Sequence, residues 1–237
     1  MYFDPLYMLV MGIGMALGLW AQFKVKGTFT RFSRVASMSR LTGAEVARRI
    51  LAANHVTDVK IEPIKGDLTD HYDPRSKTLR LSEPVYGSGS ISALGVAAHE
   101  VGHAIQHAHG YAPLKFRSAW VPVANIGGSI SWLIIFAALA LGGAATATGQ
   151  SLATLGVALF ATTTVFTLVT LPVEFDASRR ALATLQSTGV MPPEEIAGAR
   201  KVLSAAALTY VAAFITSALT LLYYAYRLGL FGGRRDD

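Results

Sequence analysis

The chain has no cysteine and little charge. Without cysteine there is no disulfide framework and no Cys-ligated zinc or iron–sulfur site. Charged residues make up 15% of the sequence and hydrophobic ones 52%, against about 25% and about 45–50% in ordinary globular proteins. Mean hydropathy is +0.41. These values exclude intrinsic disorder, a coiled coil and an ordinary water-soluble enzyme of this length. The net charge of +6 takes its meaning from where the basic residues lie.

Charge is missing altogether from four apolar stretches: Pro5 to Phe23, Ala119 to Gly143, Ser151 to Val173 and Val202 to Tyr226. Each has about the 20 helical residues needed to cross a hydrocarbon core of roughly 30 Å. A chain this short cannot wrap four such helices in its own core, so they read as membrane spans. The first lacks the basic start and the small-residue cleavage pattern of a signal peptide and reads as a retained anchor. Its Gly14 and Gly18 form a small-xxx-small pair suited to helix contact. Residues 144–150 are an uncharged turn joining spans two and three.

Of the 21 Lys and Arg residues, 14 lie in 24–118, four in 174–201 and three in the tail. The positive-inside rule places the two polar segments in the cytoplasm, with the N-terminus, the hairpin turn and the tail outside. Arg234 and Arg235, beside Asp236 and Asp237, run against that placement of the tail. Basic residues alternate with acidic ones, without a patch or aromatic interleaving, so no nucleic-acid partner is expected. The expected partners are the lipid bilayer and a protein or peptide; a homo-oligomer is compatible with the sequence.

Within the polar stretch, Thr42-Gly43-Ala44-Glu45 matches a capping box and predicts a helix through about Asn54. Residues 59–64 alternate as a strand does, and 78–82 form a second short strand. The segment between them, 66–75, is rich in turn formers. A helix beginning near Ser90 runs to a stop at Gly110.

That helix contains His99-Glu100-Val101-Gly102-His103. Residues four apart on a helix differ by about 40° in direction, so His99 and His103 can point imidazoles at one zinc ion. Glu100 sits beside them, where it can take a proton from attacking water. A catalytic zinc usually has three protein ligands, and three residues compete for the third place. His109 has the metzincin spacing, but Gln106 stands where that pattern needs glycine. His107 lies about 6 Å further along the same helix and would have to reach back. Glu174, at the end of the third span, is favoured by topology, because two crossings return the chain to the zinc helix's side. A carboxylate at that edge also needs a reason.

Three stretches resemble the YugP-type family of bacterial membrane zinc metallopeptidases: Thr-Asp-His-Tyr-Asp-Pro through Leu-Ser-Glu over 69–83, Val-Ala-Ala-His-Glu-Val-Gly-His-Ala-Ile-Gln-His over 96–107, and Leu-Pro-Val-Glu-Phe-Asp-Ala-Ser-Arg-Arg over 171–180. The likeness spans nearly the whole chain. It implies a gluzincin-like site holding one zinc ion, with His99 and His103 as ligands, Glu100 as catalytic base and Glu174 as third ligand. Ser178 departs from the HtpX-like proteases, where an aspartate usually follows the ligand Glu by four. The resemblance carries no substrate.

The expected fold is a mainly α membrane protein: four transmembrane helices with a small α+β zincin-like metalloprotease domain. Residues 1–23 are the N-terminal anchor, 24–118 the catalytic domain and 119–173 a transmembrane hairpin. Residues 174–201 carry the third ligand, and 202–237 form the fourth span and tail. His71, Tyr72 and Arg179 are candidates to stabilise the transition state. Asp70 and Asp73 are candidates to orient a ligand histidine, against a plain reading as turn residues, and His107 is a candidate for a supporting place beside the metal. Asp176 and Arg180 read as a helix-surface pair.

The expected function is hydrolysis of peptide bonds in membrane or membrane-proximal proteins by zinc-activated water, with Glu100 as general base. The strand at 78–82 is expected to align the peptide. The location is a multi-pass place in the bacterial plasma membrane, with the catalytic domain cytoplasmic. Intramembrane proteolysis of the site-2 type and a catalytically silent zinc-binding scaffold or adaptor are the alternatives.

Overall fold

The computed structural model describes residues 4–229, so Arg234, Arg235, Asp236 and Asp237 lie outside the described residues. Its elements, in order, are α1 (Pro5–Ser33), α2 (Gly43–Ala53), β1 (Lys60–Ile64), β2 (His71–Asp73), β3 (Thr78–Ser82), α3 (Glu83–Tyr86), α4 (Ile91–Ala108), α5 (Ala112–Ala140), a 3-10 turn (Gly143–Ala145), α6 (Ala147–Ser187) and α7 (Pro193–Arg227). The protein is a mainly α membrane protein with a small sheet. Helices α1, α5, α6 and α7 are long and apolar enough to cross a bilayer.

The first, third and fourth expected spans lie within α1, α6 and α7, which run on past the apolar residues; the second, expected to Gly143, overshoots α5, which ends at Ala140. Hydropathy marks the stretch suited to lipid, not the end of the hydrogen-bonded ladder. The turn expected over 144–150 is tighter than that. Gly142 and Gly143 take φ of +91° and +56°, reverse the chain, and let α6 start at Ala147.

The chain divides into two compact units. One comprises Met1–Trp20, Phe116–Leu171 and Tyr210–Asp237. Here a β-carbon on Gly14 would meet Thr216 Cγ2 at 2.6 Å, so Gly14 marks a close helix contact. Gly18 has nothing within 4 Å, and the expected pair reduces to one residue. The spans hold no Asp, Glu, Lys or Arg, and neutral groups supply polar contacts between them. Thr164 and Ser217 bond at 2.8 Å, and Trp120 Nε1 donates to the Thr162 carbonyl at 3.0 Å. Tyr7, Trp132, Phe160, Tyr223 and Tyr224 pack together in a hydrophobic cluster.

The other unit comprises Ala21–Lys115 and Pro172–Thr209. The capping box forms as expected: the Glu45 amide donates to Thr42 Oγ1 at 3.3 Å, and the Thr42 amide to Glu45 Oε2 at 2.8 Å. The sheet has the order β1-β3-β2, with β1 parallel and β2 antiparallel to β3. Strand β2 falls inside the segment expected to be only a turn. Three residues are too few for a period-2 signal, and the pairing with β3 creates the strand. The turn that follows is held by Asp73, which accepts from the Arg75 amide at 2.9 Å and from Ser76 Oγ at 2.7 Å.

Leu79 and Leu81 of β3 join Val46 and Ile50 of α2, Leu94 and Val101 of α4, and Leu185 of α6 in one buried core. Burial of large aliphatic side chains, each about 1.5–3 kcal/mol, fixes α4 between the sheet and the second half of α6.

Candidate metal centre

Helix α4 is built from small and aliphatic residues, with Ser90 Oγ accepting from the Ala93 amide at its start. It closes at His109, and Gly110 then takes φ +64°, which glycine adopts without a Cβ penalty. Fourteen of its residues are buried, His103 among them, while His99 and His107 are part-buried.

His99 and His103 lie one turn apart, with ring centroids 4.8 Å apart and planes at 82°. Glu174 reaches them from α6. Its Oε2 lies 3.2 Å from His99 Nε2 and 3.5 Å from His103 Nε2. The three ligand atoms all fall within 4.8 Å of one another, and Glu174 is only 2% exposed. Two imidazole nitrogens and a carboxylate oxygen are a donor set that suits zinc and leaves a fourth position for water or substrate. Pro172 sits inside α6 two residues before Glu174.

Close approach of the two helices depends on Gly102. A β-carbon there would come within 2.5 Å of the Ala177 carbonyl oxygen. The pattern His-Glu-Val-Gly-His thus carries its own packing requirement at the fourth place.

Glu100 is buried beside the triad. Burial pushes its carboxyl up to about 7; the Glu174 and Asp70 carboxylates add to the rise, while His99 and the Tyr72 backbone N–H oppose it. Asp70 is also raised by burial, although the Ser82 amide and hydroxyl both donate to it.

The far nitrogens of both imidazoles are held. Ser178 Oγ lies 3.1 Å from His99 Nδ1, and Gln106 Oε1 lies 3.0 Å from His103 Nδ1. Gln106 Nε2 donates to the Val173 carbonyl at 2.8 Å and to Asp176 Oδ2 at 2.9 Å. Asp176 is 4% exposed and pairs with Arg179 and Arg180. It is therefore no surface residue: the expected helix-surface pair has its acidic half in the protein interior. Gln106, Ser178 and Gly102 escape a reading of the motif alone, because nothing in their spacing announces what packs against them.

The remaining candidates are placed elsewhere. Tyr72 OH bonds His107 Nδ1 at 2.8 Å, and both line a cavity of about 250 Å³ with Asp58, Lys77 and Ala104. Burial, then Asp58 and Asp73, push the Tyr72 hydroxyl up to about 12. His109 Nδ1 lies 3.5 Å from Arg180. Among the described residues, neither His107 nor His109 joins the cluster of close donors. His71 Nδ1 pairs with the Thr69 carbonyl, Asp73 holds its turn, and Arg179 lies with its side chain exposed against Asp176.

Residues 7–229 match the family described as "Putative neutral zinc metallopeptidase". The chain is also 48% identical over 224 residues to the "Putative membrane protease YugP" of Bacillus subtilis strain 168. That alignment covers 94% of this chain and 96% of the relative. No solved structure matches the chain significantly. The match over nearly its whole length places this chain in the family described as "Putative neutral zinc metallopeptidase".

Proposed function

We propose that the protein is a membrane-anchored zinc endopeptidase in which His99, His103 and Glu174 hold one zinc ion. The observation that carries this reading is the convergence of His99 with the buried His103 and Glu174 beside Glu100. Zinc in such a site supplies a Lewis acid for the scissile carbonyl and lowers the pKa of water.

The chain's own residues do the rest. Glu100 takes the proton of the attacking water and returns it to the leaving amine. A carboxyl raised to about 7 suits both directions of that transfer near neutral pH. Substrate is a peptide segment at or near the membrane face. Strand β3 is paired on both sides, so it has no free edge to align a peptide and the expected role for 78–82 is withdrawn. The outer edge of β2 takes that role here, since it is the end strand of the sheet and its Tyr72 amide faces Glu100.

The basic residues of 24–118 and 174–201 support a cytoplasmic active side in the bacterial plasma membrane. The test is Glu100→Gln in detergent-purified protein. Zinc content stays near that of wild type, and hydrolysis of an unstructured peptide falls by about 10²–10⁴-fold. Unchanged hydrolysis would sink the mechanism. A wild type that binds zinc, cleaves nothing and traps nothing would favour the scaffold reading.

A further inference from the structure

The two histidines of the motif are held in different ways, and the difference lies in which partners can only accept. Gln106 is completely buried, three residues after His103 on α4. Its carboxamide offers one oxygen and two N–H groups. A backbone carbonyl accepts hydrogen bonds and cannot donate them. Val173 O and Asp176 Oδ2, 2.8 Å and 2.9 Å from Gln106 Nε2, therefore take both N–H groups and fix which way the amide faces. Arg179 and Arg180 pair with Asp176.

The amide oxygen is left facing His103 Nδ1 at 3.0 Å. It can only accept, so Nδ1 must carry the proton. In the neutral ring that binds a metal, this makes Nε2, the atom turned toward Glu174, the ligating nitrogen. His99 is different. Its Nδ1 faces the Ser178 hydroxyl, which can donate or accept and so leaves the tautomer free.

We propose that Gln106 is a positioning residue that presets His103 in its metal-binding tautomer, and that Asp176 and Val173 act through it. This rests on the zinc site proposed above. The arrangement also anchors the imidazole to the turn of α6 that carries Glu174, so one side-chain amide joins two ligands on different helices. Beyond Asp176 the chain continues through Arg180, which lies 5.6 Å from the centre of the Tyr111 ring.

The experiment measures zinc affinity by competition with a chromophoric chelator, the visible spectrum of the Co(II)-loaded protein, and thermal unfolding of the metal-free protein. In Gln106→Leu, zinc affinity falls about 10–100-fold, the range for removing an outer partner of a ligating histidine, and the Co(II) bands shift. Ser178→Ala weakens binding less. Wild-type affinity and spectrum in Gln106→Leu overturn the proposal. So does a lowered unfolding temperature with an unchanged Co(II) spectrum, since that is a packing role alone.

A reversed pair keeps the test open if Gln106→Leu does not fold. Gln106→Glu retains an acceptor toward His103 but sets two carboxylates together. Adding Asp176→Asn restores a donor, and the double variant binds zinc more tightly than Gln106→Glu alone. Additive losses overturn the proposal. Absence of zinc binding by the wild type would instead defeat the function proposed above, and this inference with it.

Discussion

Ser178 Oγ lies 3.1 Å from His99 Nδ1 and shares a face of α6 with Glu174, four residues earlier. The place where a likeness to HtpX-like proteases would put an aspartate is thus filled by a shorter, neutral side chain that still reaches the imidazole. Ser178→Ala should weaken zinc binding by up to about tenfold, and Ser178→Asp should restore it or exceed wild type. Equilibrium competition for zinc checks both; no change in either variant would show that the contact does not orient His99.

Gly102→Ala should loosen the site without touching a ligand. The added methyl has 2.5 Å to the Ala177 oxygen, and the obstacle is backbone, which cannot swing aside. Overpacking of this kind costs about 1–3 kcal/mol. Thermal unfolding should drop, and zinc content in purified protein should drop with it. Full zinc occupancy at wild-type stability would mean that the helices have room to part.

Glu174→Ala should leave two imidazoles and lose stoichiometric zinc, read by metal analysis of purified protein. Retained zinc would transfer the third place to His107 or His109. Chelator treatment of the wild type should abolish hydrolysis, and added Zn²⁺ should restore it.

Tyr72→Phe separates two roles. The hydroxyl's bond to His107 is worth about 1 kcal/mol, and if that is its whole contribution, hydrolysis stays within a few-fold of wild type. A loss of 10²-fold or more in kcat at wild-type KM would make Tyr72 a donor to the developing oxyanion.

What was legible in the sequence was whatever depends on neighbours along the chain. The capping box at Thr42 and Glu45, the four apolar helices and the nearness of His99 to His103 rest on local spacing and are present, though the second apolar run outlasts its helix by three residues. Glu174 was legible for another reason: membrane crossings restrict where the chain can return. Strand β2 was hidden because its three residues owe their conformation to β3. Asp176 was misjudged because an acidic residue beside two arginines looks the same on a surface as at the end of a buried network. Gln106 read as a failed glycine of a different motif, since nothing local shows a carbonyl arriving from residue 173.

Helix α6 runs unbroken for 41 residues, about 60 Å at 1.5 Å per residue. Its apolar run ends at Val173, and Glu174 follows at once. The run from Ser151 to Val173 takes up about 34 Å, as much as the hydrocarbon layer is thick. In the sequence the carboxylate therefore follows directly on a run about as long as the hydrocarbon layer is thick. On the proposed reading, peptide bonds at the membrane face fall within its reach. Those at the midplane lie about 15 Å deeper, and a substrate helix would have to slide or unwind to present them.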